Sequence, residues 1–309
     1  MSILVDQSTR LLVQGITGKQ GRYHTARMLE SGTAVCAGTS PGKGGESVEG
    51  VPVYNTVAEA MAAHPEINTS VILVPPRFVL ASGMEAVDAG IPLTVIITEF
   101  TPVRDILQIV RKARSRGLRV VGPNTIGIIS PGRAKAGVMP SFIYKQGHIG
   151  IISRSGTLTH EMASNLSFAG YGQSSCVGIG GDQVIGMDHR DVLELFARDE
   201  DTDMVILIGE IGGDSEERCA AWIRESGFSK PVAAYIAGAS APEGTKMGHA
   251  GAIISEGSGT IASKLQALEG AGVFVGKTMG QILDYVRTLD GRTGGRLKSA
   301  ETLSEDTEA

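Results

Sequence analysis

Short apolar runs alternating with helix-length amphipathic segments constrain this chain more than any other feature. Arg10-Leu11-Leu12-Val13-Gln14 leads into the glycine turn Gly15-Ile16-Thr17-Gly18-Lys19-Gln20-Gly21, and a helical pattern then runs through Ala26, Met28 and Leu29. That order is strand, turn, helix. Further apolar runs at 34–37, 70–74, 93–97 and 118–121 are separated by helical segments around 56–64, 77–89 and 102–116. Strands connected through helices pair in parallel and bury both faces, so residues 1–125 are predicted to form a Rossmann-like, doubly wound domain.

Gly122-Pro123-Asn124-Thr125 closes that series, and a connection rich in Pro and Gly occupies 126–147. A second series opens at Ile149-Gly150-Ile151-Ile152-Ser153, turns through Arg154-Ser155-Gly156 into a helix, and repeats to Val273-Phe274-Val275 and a final helix near 278–288. Residues 148–290 are therefore predicted to form a second, flavodoxin-like α/β domain. Residues 291–309 lose periodicity and gather Glu301, Glu305, Asp306 and Glu308, which predicts a loose polar tail.

Composition excludes several classes. With 42% hydrophobic and 20% charged residues over 309 positions, the chain can bury two cores. Its net charge of -5 argues against a nucleic-acid surface or a polybasic membrane patch. The N-terminus lacks a signal-peptide pattern, and no apolar run approaches the roughly 18 residues of a membrane span, so a cytoplasmic protein is expected. Cys36, Cys176 and Cys219 are few and far apart, and read as buried small hydrophobes rather than disulfides or metal ligands.

Four places carry chemistry. The turn Gly15–Gly21 is spaced G-x-x-G-x-x-G rather than the G-x-G-x-x-G of dinucleotide folds, although either presents N–H groups and a helix end to phosphate. After the second strand, where a nicotinamide dinucleotide site places an acid for the ribose, Pro41-Gly42-Lys43-Gly44-Gly45 offers a lysine, which suits an additional phosphate such as that of coenzyme A. Ser153-Arg154-Ser155-Gly156-Thr157 reads equally as an anion site at a helix N-terminus or as simple serine capping. Glu210 ends the apolar run 204–208, where parallel sheets bind ligands, and would serve either an imidazole or a Lys or Arg ion pair. His249, between Gly248 and Ala250-Gly251, is the one histidine of six in a small-residue loop; a reactive imidazole and a hydrogen-bonded turn histidine both suit that setting.

Gly-His-Ala-Gly-Ala at 248–252, Ser-Arg-Ser-Gly-Thr-Leu-Thr at 153–159, Gly-Ile-Gly-Gly-Asp at 178–182, Gly-Glu-Ile-Gly-Gly at 209–213 and Pro-Gly-Lys-Gly-Gly at 41–45 resemble the α subunit of succinyl-CoA synthetase, in that family's order and over about residues 1–288. The resemblance implies that His249 is phosphorylated, that Glu210 supports it and that Ser155 and Gly156 form the phosphate site. It also implies that Thr17, Gly18, Lys19, Gln20, Lys43, Ile97, Thr98, Glu99 and Asn124 contact coenzyme A. ATP or GTP with Mg²⁺, and much of the acid pocket, would belong to a β subunit with an ATP-grasp fold, in a heterodimer or heterotetramer. No Walker G-x-x-x-x-G-K-[ST] run occurs in this chain.

The chain departs from the family pattern near the acid and near CoA. His160 stands where the pattern has tyrosine, Gln183-Val184-Ile185-Gly186-Met187 replaces a Pro-Ile-Pro-Gly-Ser-like stretch, Thr125 replaces a cysteine, and Lys246 replaces arginine. An imidazole for a phenol changes size and hydrogen bonding and would admit a hydroxylated, sulfur-containing or longer dicarboxylate, so the expected small dicarboxylate is either not plain succinate or succinate as one of several acids. Two other classes share the fold. A CoA-binding regulatory protein needs no reactive histidine, and an NAD-dependent dehydrogenase needs the missing acidic ribose ligand.

Overall fold

The computed structural model describes residues 2–238, 248–252 and 259–298. The features expected at Lys246 and along 299–309 lie outside these residues. The chain divides into two compact units, one of residues 4–140 with 184–187, the other of residues 1–3, 141–183 and 188–309.

The first unit runs β1 (Arg10–Gln14), α1 (Lys19–Glu30), β2 (Ala34–Thr39), β3 (Ser47–Val48), β4 (Val51–Tyr54), α2 (Val57–Ala63), β5 (Thr69–Ile72), a 3-10 turn (Pro76–Phe78), α3 (Val79–Asp88), β6 (Leu93–Ile96), α4 (Val103–Ser115), β7 (Arg119–Val121), β8 (Gly127–Ser130) and β9 (Ala134–Gly137). The sheet order is β3-β4-β2-β1-β5-β6-β7, parallel except for the β3–β4 edge pair. The order reverses beside β1, which is the Rossmann pattern. Leu11, Leu12 and Val13 are fully buried, as a strand covered on both faces requires.

The glycine turn owes its composition to close approach. A Cβ on Gly21 would stand 2.1 Å from the Gly15 carbonyl oxygen, so α1 packs onto the turn only with glycine there. Gly15 itself has φ +82, and a Cβ on Gly38 would run into the Ile16 side chain.

The Pro/Gly-rich stretch after β7 holds a hairpin that periodicity did not reveal. β8 and β9 pair antiparallel, and Thr33 ties β9 to the first unit, its Oγ1 donating to the Lys135 carbonyl at 3.0 Å. Residues 184–187 also pack here: the Gly186 N–H donates to the Gly122 carbonyl, and Arg114 Nη2 donates to the Gly186 carbonyl.

The second unit runs β10 (Gln146–Ser153), α5 (Gly156–Phe168), β11 (Gln173–Gly178), α6 (His189–Arg198), β12 (Met204–Glu210), α7 (Ser215–Ser226), β13 (Val232–Ala237), α8 (Ile261–Gly270), β14 (Phe274–Gly276) and α9 (Met279–Thr293). These strands lie in the order β14-β13-β12-β10-β11, all parallel. Counted along the unit this is 2-1-3-4-5, the flavodoxin-like order, with the reversal between β10 and β12. That reversal sets the carboxyl ends of β10 and β12 side by side, with Ser153 in register with Ile208.

The last helix is longer than its apolar pattern. α9 continues to Thr293, the Leu297 N–H donates to Asp290 Oδ1 at 2.8 Å, and Leu297 is buried. The first residues beyond 290 are thus attached to the unit, because a single leucine and an acidic acceptor anchor them. Cys176 and Cys219 are buried, whereas Cys36 is only half-buried; all three are free thiols.

Candidate active site

Two clusters of expected residues lie at strand carboxyl ends, one in each unit. In the first unit, Thr17 follows β1 and its Oγ1 is 2.9 Å from Ser40 Oγ, beyond β2. Gly18 is the N-cap of α1, contributing no side-chain cap, and no acid occupies the first turn, so the exposed helix end at Lys19 and Gln20 is electrostatically open to an anion. Lys43 lies in the exposed loop after β2, paired with Glu46 at 3.0 Å. Ile97, Thr98 and Glu99 follow β6; Thr98 Oγ1 donates to the Val74 carbonyl, and its own carbonyl accepts from the Asn124 N–H. Asn124, with φ +53, adopts the left-handed conformation that asparagine tolerates. An uncapped helix end, a nearby lysine and the absence of an acid at the end of β2 fit the phosphates of coenzyme A better than a ribose diol.

The second cluster surrounds His249. Its Nδ1 lies 2.7 Å from Glu210 Oε2. A carboxylate only accepts, so Nδ1 carries the proton and the lone pair of a neutral ring sits on Nε2. The hydrogen bond to Glu210 raises the His249 pKa above its ordinary value; burial and Arg154 oppose it, while the Glu210 charge and Asp182 reinforce it. The ring rests against Gly181, where a Cβ would lie 2.4 Å from Cγ. The Gly251 N–H donates to the Gly181 carbonyl at 3.1 Å, joining the histidine turn to the loop after β11.

Both uses foreseen for Glu210 occur together. Oε2 meets the imidazole and Oε1 lies 3.1 Å from Arg154 Nε, with both carboxylate and guanidinium under 10% exposed. Arg154 precedes α5, and its place in the motif at 153–159 was legible; its partner was not, because 56 positions separate the two residues.

Ser155 is the N-cap of α5, its Oγ accepting from the Leu158 N–H at 3.3 Å, while its own N–H donates to Ser153 Oγ at 3.1 Å. The serine hydroxyl is therefore used in capping. The helix-end N–H groups that begin at Gly156 have no intrahelical acceptor, the arrangement by which a helix N-terminus can receive an anion. His160 is the fifth residue of α5, at the start of the helix's second turn rather than on the first turn that its place beside the motif predicts. Its Nδ1 lies 2.7 Å from Tyr144 Oη, and burial lowers its pKa. Tyr144 carried no motif and escaped sequence analysis.

Beneath Glu210 lies a buried ionic network. The Glu210 N–H donates to Glu216 Oε1 at 3.2 Å, and Lys264 Nζ reaches Glu216 Oε2 at 2.5 Å, Glu217 Oε2 at 3.0 Å and the Gly213 carbonyl at 3.0 Å. Glu216 and Lys264 are wholly buried. His189 joins α6 to this floor, Nδ1 against Ser215 Oγ at 2.8 Å. Among the described residues no cluster of three His, Cys, Asp or Glu side chains is placed to hold a metal ion, and no helix is long and apolar enough to cross a membrane.

Residues 6–100 match the CoA binding domain family and residues 152–274 the CoA-ligase family. The chain is 54% identical over 285 residues to the succinate–CoA ligase [ADP-forming] subunit alpha of Methanothermobacter thermautotrophicus, covering 92% of this chain and 96% of that one. It is 53% identical to subunit alpha 2 of the same enzyme from Archaeoglobus fulgidus, over 93% of this chain and 99% of the relative. Among solved structures, ATP citrate lyase from Methanothrix soehngenii, in complex with citrate and coenzyme A, superposes with a TM-score of 0.86 at 26% identity, over 94% of this chain and 52% of the larger one. The chain belongs to the succinate–CoA ligase [ADP-forming] α-subunit family.

Proposed function

We propose that this chain, as the α subunit of an ADP-forming succinate–CoA ligase, carries a phosphoryl group on His249 between a nucleotide site on a β subunit and the acid being activated. The observation that carries this reading is the 2.7 Å contact between His249 Nδ1 and Glu210 Oε2. It leaves the Nε2 lone pair as the nucleophile and stabilises the positive charge that the ring gains when Nε2 bonds to phosphorus.

A carboxylate does not react with a thiol until one oxygen becomes a phosphate leaving group. Nε2 takes the terminal phosphoryl group as its bond to the ADP oxygen breaks, then yields it to a carboxylate oxygen, regenerating neutral imidazole. The CoA thiol, losing its proton, displaces phosphate from the acyl carbon to leave the thioester. Glu210 keeps the Nδ1 proton in place throughout, and the N-terminus of α5 supplies N–H groups and a positive dipole end for the phosphoryl oxygens. CoA is assigned to the first unit, through Thr17, Gly18, Lys19, Gln20, Lys43, Ile97, Thr98, Glu99 and Asn124.

The partner is assigned an ATP-grasp fold, binding ATP or GTP with Mg²⁺, and the complex is assigned to the cytoplasm. The acid is succinate or a related small dicarboxylate, with His160 as the residue on this chain that bears on the choice. Incubation with γ-labelled nucleotide tests the reading: acid-labile, base-stable label is expected on the wild-type α/β complex, none on the chain alone and none with His249→Asn, which retains CoA binding. Labelling of the isolated chain at a catalytic rate, or full turnover by His249→Asn, overturns it.

A further inference from the structure

Arg154 is a buried cation that touches every segment from which the His249 site is assembled. Its N–H donates to the Ile208 carbonyl near the end of β12, at 3.1 Å. Nη2 donates to the Asp182 carbonyl in the loop after β11, at 2.8 Å. The same nitrogen lies 2.5 Å from where a Cβ on Gly251 would stand, so the guanidinium packs against the backbone of the histidine turn, and a side chain there would push the guanidinium aside.

The contact with Glu210 differs in kind from these. Arg154 Nε and Glu210 Oε1 are 3.1 Å apart, yet neither buried atom makes a hydrogen bond within the described residues. The pair is close but misaligned, so the guanidinium acts on this carboxylate oxygen through its charge. Glu210 consequently stands between Arg154 on Oε1 and His249 on Oε2. A buried carboxylate shared by two cationic partners is compensated by the arginine alone when the imidazole is neutral. Protonating the imidazole then adds a second positive charge that the single carboxylate must share.

We propose that Arg154 is a positioning residue for phosphoryl carriage: it fixes Glu210 against His249 Nδ1 and, as a neighbouring cation, keeps Nε2 free of a proton and able to bond to phosphorus. The inference rests on the reading of His249 as the phosphoryl carrier. Among the described residues the charged groups that act on His249 are Glu210 and Asp182, which favour its protonation, and Arg154, which opposes it along with burial. Removing the arginine takes away the neighbouring cation that opposes protonation of His249, so the imidazole takes up its proton at higher pH.

The test is the pH dependence of His249 labelling by γ-labelled nucleotide in the α/β complex, for wild type, Arg154→Gln and Arg154→Lys. The acid limb of Arg154→Gln is expected to move up by about one pH unit, so that labelling on that limb falls about tenfold relative to its own plateau. Arg154→Lys keeps the charge and is expected to hold the wild-type limb while its plateau rate drops. An unchanged limb in Arg154→Gln, with or without a lower plateau, overturns the proposal and leaves a purely structural arginine. If Arg154→Gln does not fold, ¹⁵N imidazole spectra of the wild-type chain decide: Nδ1–H is expected for neutral His249, and an Nε2–H tautomer overturns it. Absence of any label on the wild-type complex would instead remove the phosphoryl-carrier reading itself.

Discussion

Tyr144 Oη lies 2.7 Å from Nδ1 of His160, joining the segment before β10 to the second turn of α5. Burial disfavours the charged form of both groups, raising the tyrosine pKa and lowering that of the histidine, so the pair is a neutral hydrogen bond. His160→Tyr breaks that bond and places a second phenol beside Tyr144. If His160 sets acid choice, kcat/KM for succinate, malate, a sulfinate analogue, glutarate and citrate will re-rank in this variant, in favour of succinate. Identical ranking, with succinate ahead by tenfold or more in the wild type, removes His160 from specificity.

Lys264 is expected to be the most costly side chain to truncate beneath the site. It neutralises Glu216 and reaches Glu217, with no exposure of its own. Lys264→Met strands a buried carboxylate and should destabilise the chain by about 3–5 kcal/mol, read from urea unfolding. Glu216→Gln combined with Lys264→Met should cost less than the sum of the single changes, because the stranded charge is gone. Strict additivity would mean that the two side chains do not depend on each other.

Acid should weaken the second unit through His189. Burial lowers its pKa in the folded chain, with Glu216 opposing and Arg154 adding to the effect. As pH falls below about 6.5 the unfolded chain takes up this proton before the folded one, so stability declines. His160 acts in the same direction; His249, whose folded pKa is raised, contributes stability below about 6.5 that is lost as pH rises through its folded value. His189→Gln keeps a donor and an acceptor but does not titrate. Its urea midpoint is expected to fall less steeply than the wild-type midpoint on the acid side.

Lys43 separates binding from stability. Its ion pair with Glu46 is exposed, so Lys43→Ala should change unfolding free energy by less than about 1 kcal/mol. Calorimetry should nevertheless show CoA weakened by about 1–3 kcal/mol, with little loss for dephospho-CoA. Equal losses for the two ligands would mean that Lys43 does not read the additional phosphate.

Gly181→Ala should disable the site while sparing the fold. The added carbon would meet the His249 ring at 2.4 Å, and the ring is the more movable partner because it sits on a turn. Displacing it from Glu210 is expected to lower His249 labelling by about 100-fold, as misplacement of a reacting group does. Labelling at the wild-type rate would show that the ring accommodates the methyl group without leaving Glu210.

Local pattern was enough for the architecture and for naming the candidate groups. The apolar runs that became β1, β5, β6, β10 and β12 are continuous because their strands are buried on both faces, and the glycine turn before α1 is written in adjacent positions. The Gly-His-Ala-Gly-Ala motif singled out His249 for the same reason: it is local. The hairpin β8–β9 escaped because its short strands lie among the Pro and Gly residues that also mark loops, and the extension of α9 escaped because one buried leucine is no periodicity. What only the tertiary structure decided is pairing. His249 and Glu210 stand 39 positions apart, Arg154 and Glu210 stand 56 apart, and Lys264 and Glu216 stand 48 apart. A sequence can name a carboxylate at a strand end, but its charge is assigned to an imidazole, a guanidinium or both only when the parallel sheet sets the ends of β10 and β12 side by side, since electrostatic and hydrogen-bonding partners are chosen by distance in space.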